Sequence, residues 1–141
     1  MRKKVLFLCT HNSARSQMAE GILNHLFGDR FRAFSAGIEP SSLHPLAIKV
    51  MSEVGIDISQ QRAKSIKEFQ GEEFDFVITV CDKAKETCPF FPKAKEYKHW
   101  NFPDPSAEEG TEEERLKVFR EIRERIREKI EEEFIKEEND G

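Results

Sequence analysis

Apolar positions along the chain fall into blocks whose period switches between that of a strand and that of a helix. Val5-Leu6-Phe7-Leu8 is a short continuous apolar run, the pattern of a strand covered on both faces. From Ser16 the apolar residues recur at helical spacing, through Met18, Ala19, Ile22, Leu23, Leu26 and Phe27, until Gly28-Asp29 ends the segment. Residues 31–36 read as a second strand closed by Gly37. Residues 45–54 predict a helix with Ala47, Val50, Met51 and Val54 inward and Gly55 where a left-handed cap is expected. A short helix is expected over 65–69. Residues 74–80 form the strongest strand pattern and run directly into Cys81, and residues 97–100 suggest a fourth strand. Pro103-Asp104-Pro105 cannot lie inside a helix. Thr111 and Glu114 form a capping box for a last helix whose inward stripe is Leu116, Phe119, Ile122, Ile126 and Ile130. Strands alternating with helices predict an α/β fold, one parallel sheet with helices on both faces.

The length of 141 residues fits a single domain spanning residues 1–141, with neither an internal repeat nor a linker. No apolar run approaches the roughly 20 residues that cross a bilayer, and the apolar stretch after Arg2-Lys3-Lys4 is too short for a signal peptide, so no membrane association and a cytoplasmic location are expected. The net charge of -4 conceals runs such as Glu112-Glu113-Glu114 interleaved with Arg and Lys near the C-terminus, the pattern of a solvated helix face. No basic patch with interleaved aromatics is present, which argues against nucleic acid as a partner.

Three cysteines change this picture. An odd number does not make a disulfide framework, and in a reducing compartment each one taken singly reads as a small buried apolar group. Cys9, however, ends the first strand, and Cys9-Thr10-His11-Asn12-Ser13-Ala14-Arg15-Ser16 leads straight into a helix. A loop between a strand end and a helix N-terminus aims successive backbone N–H groups at one point. That arrangement favours a thiolate at Cys9 and a tetrahedral oxyanion in front of it. Arg15 supplies a planar fork for two of the anion's oxygens, and Ser16 a hydroxyl for the sulfur. Cys81 ends a second strand, and in a parallel sheet all strand C-termini share one edge, so Cys81 is expected beside the Cys9 loop. Cys88 lies seven residues on, across a polar segment expected to be able to move. His44, His99 and Trp100 make no metal-ligand spacing with these cysteines, and no metal is expected.

The segment Val5 to Gly21, with Ser35-Ala36-Gly37-Ile38, Gly55-Ile56-Asp57-Ile58-Ser59, Val80-Cys81, Cys88-Pro89, His99-Trp100 and Asp104-Pro105, resembles the low-molecular-weight protein tyrosine phosphatase superfamily. Within it the chain is most similar to the thioredoxin-coupled arsenate reductases. The resemblance implies a four-stranded, flavodoxin-like three-layer fold. It further implies that Cys9 attacks arsenate, that Cys81 then attacks the Cys9 sulfur and arsenite departs, and that Cys88 takes over Cys81. The Cys81–Cys88 disulfide would be re-reduced by thioredoxin or a similar dithiol, with no bound cofactor. Asp104 matches the family's general acid. Eukaryotic-type phosphatases of the superfamily carry paired tyrosines after the Asp-Pro, whereas Ser106-Ala107 follow here.

Some reductases of the family hold a potassium ion beside the loop. The matching positions include Asn12, Glu20 and Ser35, but an acidic ligand would fall near Lys64. Its ammonium is expected to take the cation's place and pair with Glu20, leaving no potassium dependence. Asn12 is expected to brace the loop or to accept a left-handed backbone, and His11 to face solvent. The alternatives are a phosphatase acting on phosphotyrosine or small phosphoesters, in which Cys81 and Cys88 are spectators, and a non-enzymatic metalloid or redox sensor. A monomer is expected.

Overall fold

The computed structural model describes residues 2–87 and 93–140. Four strands, β1 (Lys3–Cys9), β2 (Phe31–Gly37), β3 (Phe74–Thr79) and β4 (Ala94–His99), form one parallel sheet in the order β2-β1-β3-β4. The helices are α1 (Arg15–Phe27), α2 (Pro45–Ser52), α3 (Asp82–Thr87) and α4 (Glu112–Asp140), with 3-10 turns at Ile66–Phe69 and Pro105–Ala107. The strand order reverses direction at β1, so the crevice beyond the C-terminal ends of β1 and β3 is where such sheets place ligands.

Residues Val5 to Cys9 are all buried, which a strand achieves only when both sheet faces are covered. Phe134 of α4 gathers the rings of Phe31, Phe76 and Trp100, while Phe69 packs on Phe34 and Phe74. The stripe Leu116, Phe119, Ile122, Ile126 and Ile130 is buried as the helical period requires. Thr111 Oγ1 accepts from the Glu114 N–H while Glu114 Oε1 accepts from Thr111, completing the capping box. Gly55 takes φ +78° after α2, as a left-handed cap does.

Three local expectations are corrected. Val54 and Leu26 are 43% and 39% exposed. Helix α2 ends at Ser52, which turns Val54 outward, and Leu26 sits in the last turn of α1; both line an open notch with Ile22, Ile56, Arg123 and Arg127. The fourth strand begins at Ala94, earlier than 97, because it is an edge strand whose polar Lys95 and Glu96 face solvent and hide the strand signal. Beyond these corrections, the polar segment after Cys81, for which the apolar pattern predicts no element, forms the short helix α3, with buried Ala84 and with Asp82 in a first turn where an acid is favourable.

Candidate active site

The loop from Cys9 to Ser16 is built from the outside. The Cys9 carbonyl accepts from the Ile38 N–H, Thr10 from Glu39, His11 from Ser41 and Ser13 from His44, while the Asn12 carbonyl accepts from Gln17 Nε2 and Ala14 from Met18. In a trans peptide the N–H opposes the C=O. With six successive carbonyls engaged on the outer side, the N–H groups of residues 10–15 turn toward the centre of the loop. That is the cradle an oxyanion requires. Gly37 permits the approach of the 37–41 segment: a Cβ there would lie 2.8 Å from the Thr10 carbonyl oxygen and 2.9 Å from the Asn12 nitrogen.

Asn12 does both things expected of it. It adopts φ +51°, and its side chain braces the loop: Nδ2 donates to Ser16 Oγ at 2.8 Å, and Oδ1 accepts from the Lys64 N–H at 2.9 Å. Gln17 Nε2 donates to the same Oδ1 and to the Arg62 carbonyl, and Gln61 in turn donates to Gln17 Oε1. No local sequence pattern marks Gln17 and Gln61 as loop supports; the available signal is a glutamine in the buried first turn of an otherwise apolar helix face. His11 is exposed, with Nδ1 3.0 Å from the Glu39 carbonyl.

Behind this bracing lies a largely but not fully buried ion pair. Lys64 Nζ is 3.6 Å from Glu20 Oε1, and Ser35 Oγ donates to the same oxygen at 2.6 Å. Lys64 Nζ also donates to the Arg62 carbonyl. Burial holds the Glu20 carboxyl above the usual range, against the pull of Lys64 and Ser35. The ammonium thus occupies the neighbourhood of Asn12, Glu20 and Ser35, as the resemblance led one to expect.

The parallel sheet delivers Cys81 to the loop. Cys9 and Cys81 are both buried free thiols that hydrogen-bond each other, and Thr10 Oγ1 lies 3.3 Å from Cys81 Sγ. Each sulfur's titration therefore depends on the other. In this geometry Cys81 is lowered to about 5, chiefly by the hydrogen bond from Cys9, then by those from Thr10 and the Ala84 N–H, against burial. Cys9 is raised because it gives its hydrogen bond to Cys81 and is buried, against the opposing pull of Arg15. Ser16 is buried and accepts from Asn12.

Asp104 faces the loop from the other side. Its Oδ2 is 3.8 Å from Arg15 Nη2, while Oδ1 accepts from the N–H and hydroxyl of Ser106. Arg15 Nη1 donates to the Phe102 carbonyl. Cys9, His11, Ser13, Ala14, Arg15, Asp104 and Ser106 together line one cleft. Cys88 lies outside the described residues. Among the described residues no group of three or more His, Cys, Asp and Glu is placed to hold a metal ion, and no helix is long and apolar enough to cross a membrane.

The arrangement offers a nucleophilic sulfur in an anion cradle, a carboxyl across from it and a second sulfur in contact with the first. The comparisons with known proteins agree with that chemistry. The arsenate reductase of Halalkalibacterium halodurans is 47% identical over 131 residues, covering 92% of this chain and 94% of the relative. A solved arsenate reductase in the phosphate binding state superimposes with TM-score 0.83 at 37% identity, covering 95% of this chain and 98% of the other. The thioredoxin-dependent arsenate reductase of Corynebacterium glutamicum gives TM-score 0.65 at 33% identity, over 90% of this chain and 59% of the other. Residues 4–139 match the family model for low molecular weight phosphotyrosine protein phosphatases. The chain therefore belongs to the low molecular weight phosphotyrosine protein phosphatase family.

Proposed function

We propose that this protein is a thioredoxin-coupled arsenate reductase, and that its residues 1–141 act as a single catalytic domain, a monomer of the cytoplasm. The observation that carries the reading is the contact between Cys9 and Cys81 beside an oxyanion cradle. Hydrolysis of a phosphoester at Cys9 has no use for a second thiol there, whereas reduction requires one.

Arsenate sits on the N–H groups of residues 10–15 with two oxygens on Arg15, which exchanges its contacts with Phe102 and Asp104 for the anion. Cys9 attacks arsenic, passing its proton to Cys81, and Asp104 protonates the departing oxygen, which leaves as water. The proton on Cys81 is then lost to solvent, and the hydrogen bonds from Thr10 and the Ala84 N–H, with the Arg15 charge, stabilise the thiolate left behind. Cys81 attacks the Cys9 sulfur: an S–S bond forms, the S–As bond breaks, and its electron pair stays on arsenic. Arsenic is reduced from the +5 to the +3 state while two thiolate sulfurs are oxidised to a disulfide, and arsenite leaves. Cys88 attacks Cys81, freeing Cys9, and the dithiol of thioredoxin reduces Cys81–Cys88.

Purified protein with arsenate, thioredoxin, thioredoxin reductase and NADPH should release arsenite with one NADPH consumed per arsenite. NADPH consumption no faster than without arsenate would refute the reading. Slow hydrolysis of para-nitrophenyl phosphate is expected alongside, since the same cradle and Asp104 serve phosphoester cleavage.

A further inference from the structure

Cys81 sits where the sheet stops holding the chain. Backbone pairing continues past β3 through the Trp100 N–H on the Thr79 carbonyl and the Phe102 N–H on the Val80 carbonyl, and α3 begins at Asp82. Between them the residue carrying the second sulfur has no ladder partner of its own among these bonds. Both its flanks, however, are tied to a single side chain. The β3–β4 register sets His99 directly opposite Thr79, and His99 Nδ1 lies 2.8 Å from Thr79 Oγ1. The other ring nitrogen, Nε2, lies 3.1 Å from Asp82 Oδ1. One imidazole therefore spans from two residues before Cys81 to one residue after it.

The donor pattern follows from the partners. An ionised carboxylate only accepts, so Nε2 carries the proton toward Asp82, and the Thr79 hydroxyl serves Nδ1. The two ends differ in exposure. Thr79 is buried, whereas the Asp82 side chain is 69% exposed. The bond to Thr79 is thus a fixed anchor, and the bond to Asp82 is a weak, water-accessible one that can open.

We propose that His99 is a positioning residue for the second thiol: by bridging Thr79 and Asp82 it holds the Cys81 turn so that its sulfur meets Cys9. Opening of the exposed Asp82 end then frees the start of α3, the segment that runs in sequence to Cys88. The inference rests on the proposed relay, and it assigns to His99 no contact with the oxyanion or with either sulfur. A misplacement of about 1 Å suffices to cost a reaction one to two orders of magnitude.

The test uses the full chain with Cys88→Ser, so that chemistry stops at the Cys9–Cys81 disulfide. His99→Phe removes both bonds, Asp82→Ala removes only the exposed one, and His99→Gln keeps a donor for Asp82. Two quantities are measured for each. The first is the rate of arsenite release in the single turnover. The second is the equilibrium between the Cys9–Cys81 dithiol and disulfide in a glutathione buffer, which needs no arsenate. His99→Phe is expected to lower both about tenfold and Asp82→Ala severalfold, with His99→Gln recovering most of the loss, while para-nitrophenyl phosphate hydrolysis at Cys9 changes less than twofold. Disulfide equilibria within twofold of the parent in both His99→Phe and Asp82→Ala would overturn the proposal, as would an equal fall in phosphoester hydrolysis. Absence of arsenite from the parent itself would sink the reductase reading, and the glutathione equilibrium would still decide the role of His99.

Discussion

Removing the Lys64 ammonium tests how the loop is supported. In Lys64→Met the stem remains but Glu20 loses its cation, with both side chains about one-eighth exposed (12% and 13%) in the native protein. At 3.6 Å and an effective dielectric of about 20, the Coulomb attraction is about 4–5 kcal/mol. Breaking one partner of a buried pair costs about 3–5 kcal/mol, because the remaining charge is left uncompensated. A loss of about 3 kcal/mol is therefore expected in urea unfolding near neutral pH, with the midpoint falling by about 1–2 M for a typical slope. The sign with pH follows from Glu20. Its folded pKa is already held above the ordinary 4.5 by burial, and without Lys64 it rises further. A raised carboxyl weakens the fold where it must ionise, so the extra loss begins as pH rises through the parent's folded value, grows up to the variant's higher one and is constant above it. Below 4.5 both states hold the proton and the variant should approach the parent. Glu20→Gln combined with Lys64→Met should recover most of the loss, since neither charge is then buried alone. A loss under about 1 kcal/mol near neutral pH, or one unchanged at pH 4, would refute the reasoning.

Gly37→Ala should lower arsenate turnover at least tenfold by pressing a methyl group on the Thr10 carbonyl and the Asn12 nitrogen; activity within twofold of the parent would show that the loop yields. Asp104→Asn removes the proton donor and should cut kcat for para-nitrophenyl phosphate by about 10²–10⁴, with KM changed far less. Cys81→Ala removes the chief cause of the raised Cys9 pKa, so alkylation of Cys9 by iodoacetamide should titrate at lower pH than in the parent, read by mass spectrometry of the Cys9 peptide. An unchanged or higher midpoint would contradict the coupling of Cys9 to Cys81.

The fold was legible because its strongest elements are written in apolar runs. Val5 to Leu8 and the Phe74 to Val80 segment, both bounded by cysteine, suffice to place two strand ends at one edge, and with them Cys9 and Cys81. Arg15 and Asp104 were legible for a different reason: each belongs to a local pattern whose chemistry is specific. What escaped was polar structure made by distant partners. The first half of β4 carries the residues of an exposed edge, and α3 is short and polar. Gln17 acts through Gln61 and the Arg62 carbonyl, and His99 through Thr79 and Asp82, contacts that no local period announces. Lys64 and Glu20 were paired from the resemblance alone, since 44 residues separate them in sequence.

The central claim is that a second thiol, not water, clears the adduct from Cys9. Cys88→Ser protein, fully reduced and mixed with arsenate without thioredoxin, isolates that step, and its disulfides can be mapped by peptide mass spectrometry while arsenite is counted. The account predicts one arsenite per protein and a Cys9–Cys81 disulfide in the same amount. Arsenite without that disulfide, or a disulfide-free protein that releases no arsenite, would contradict it.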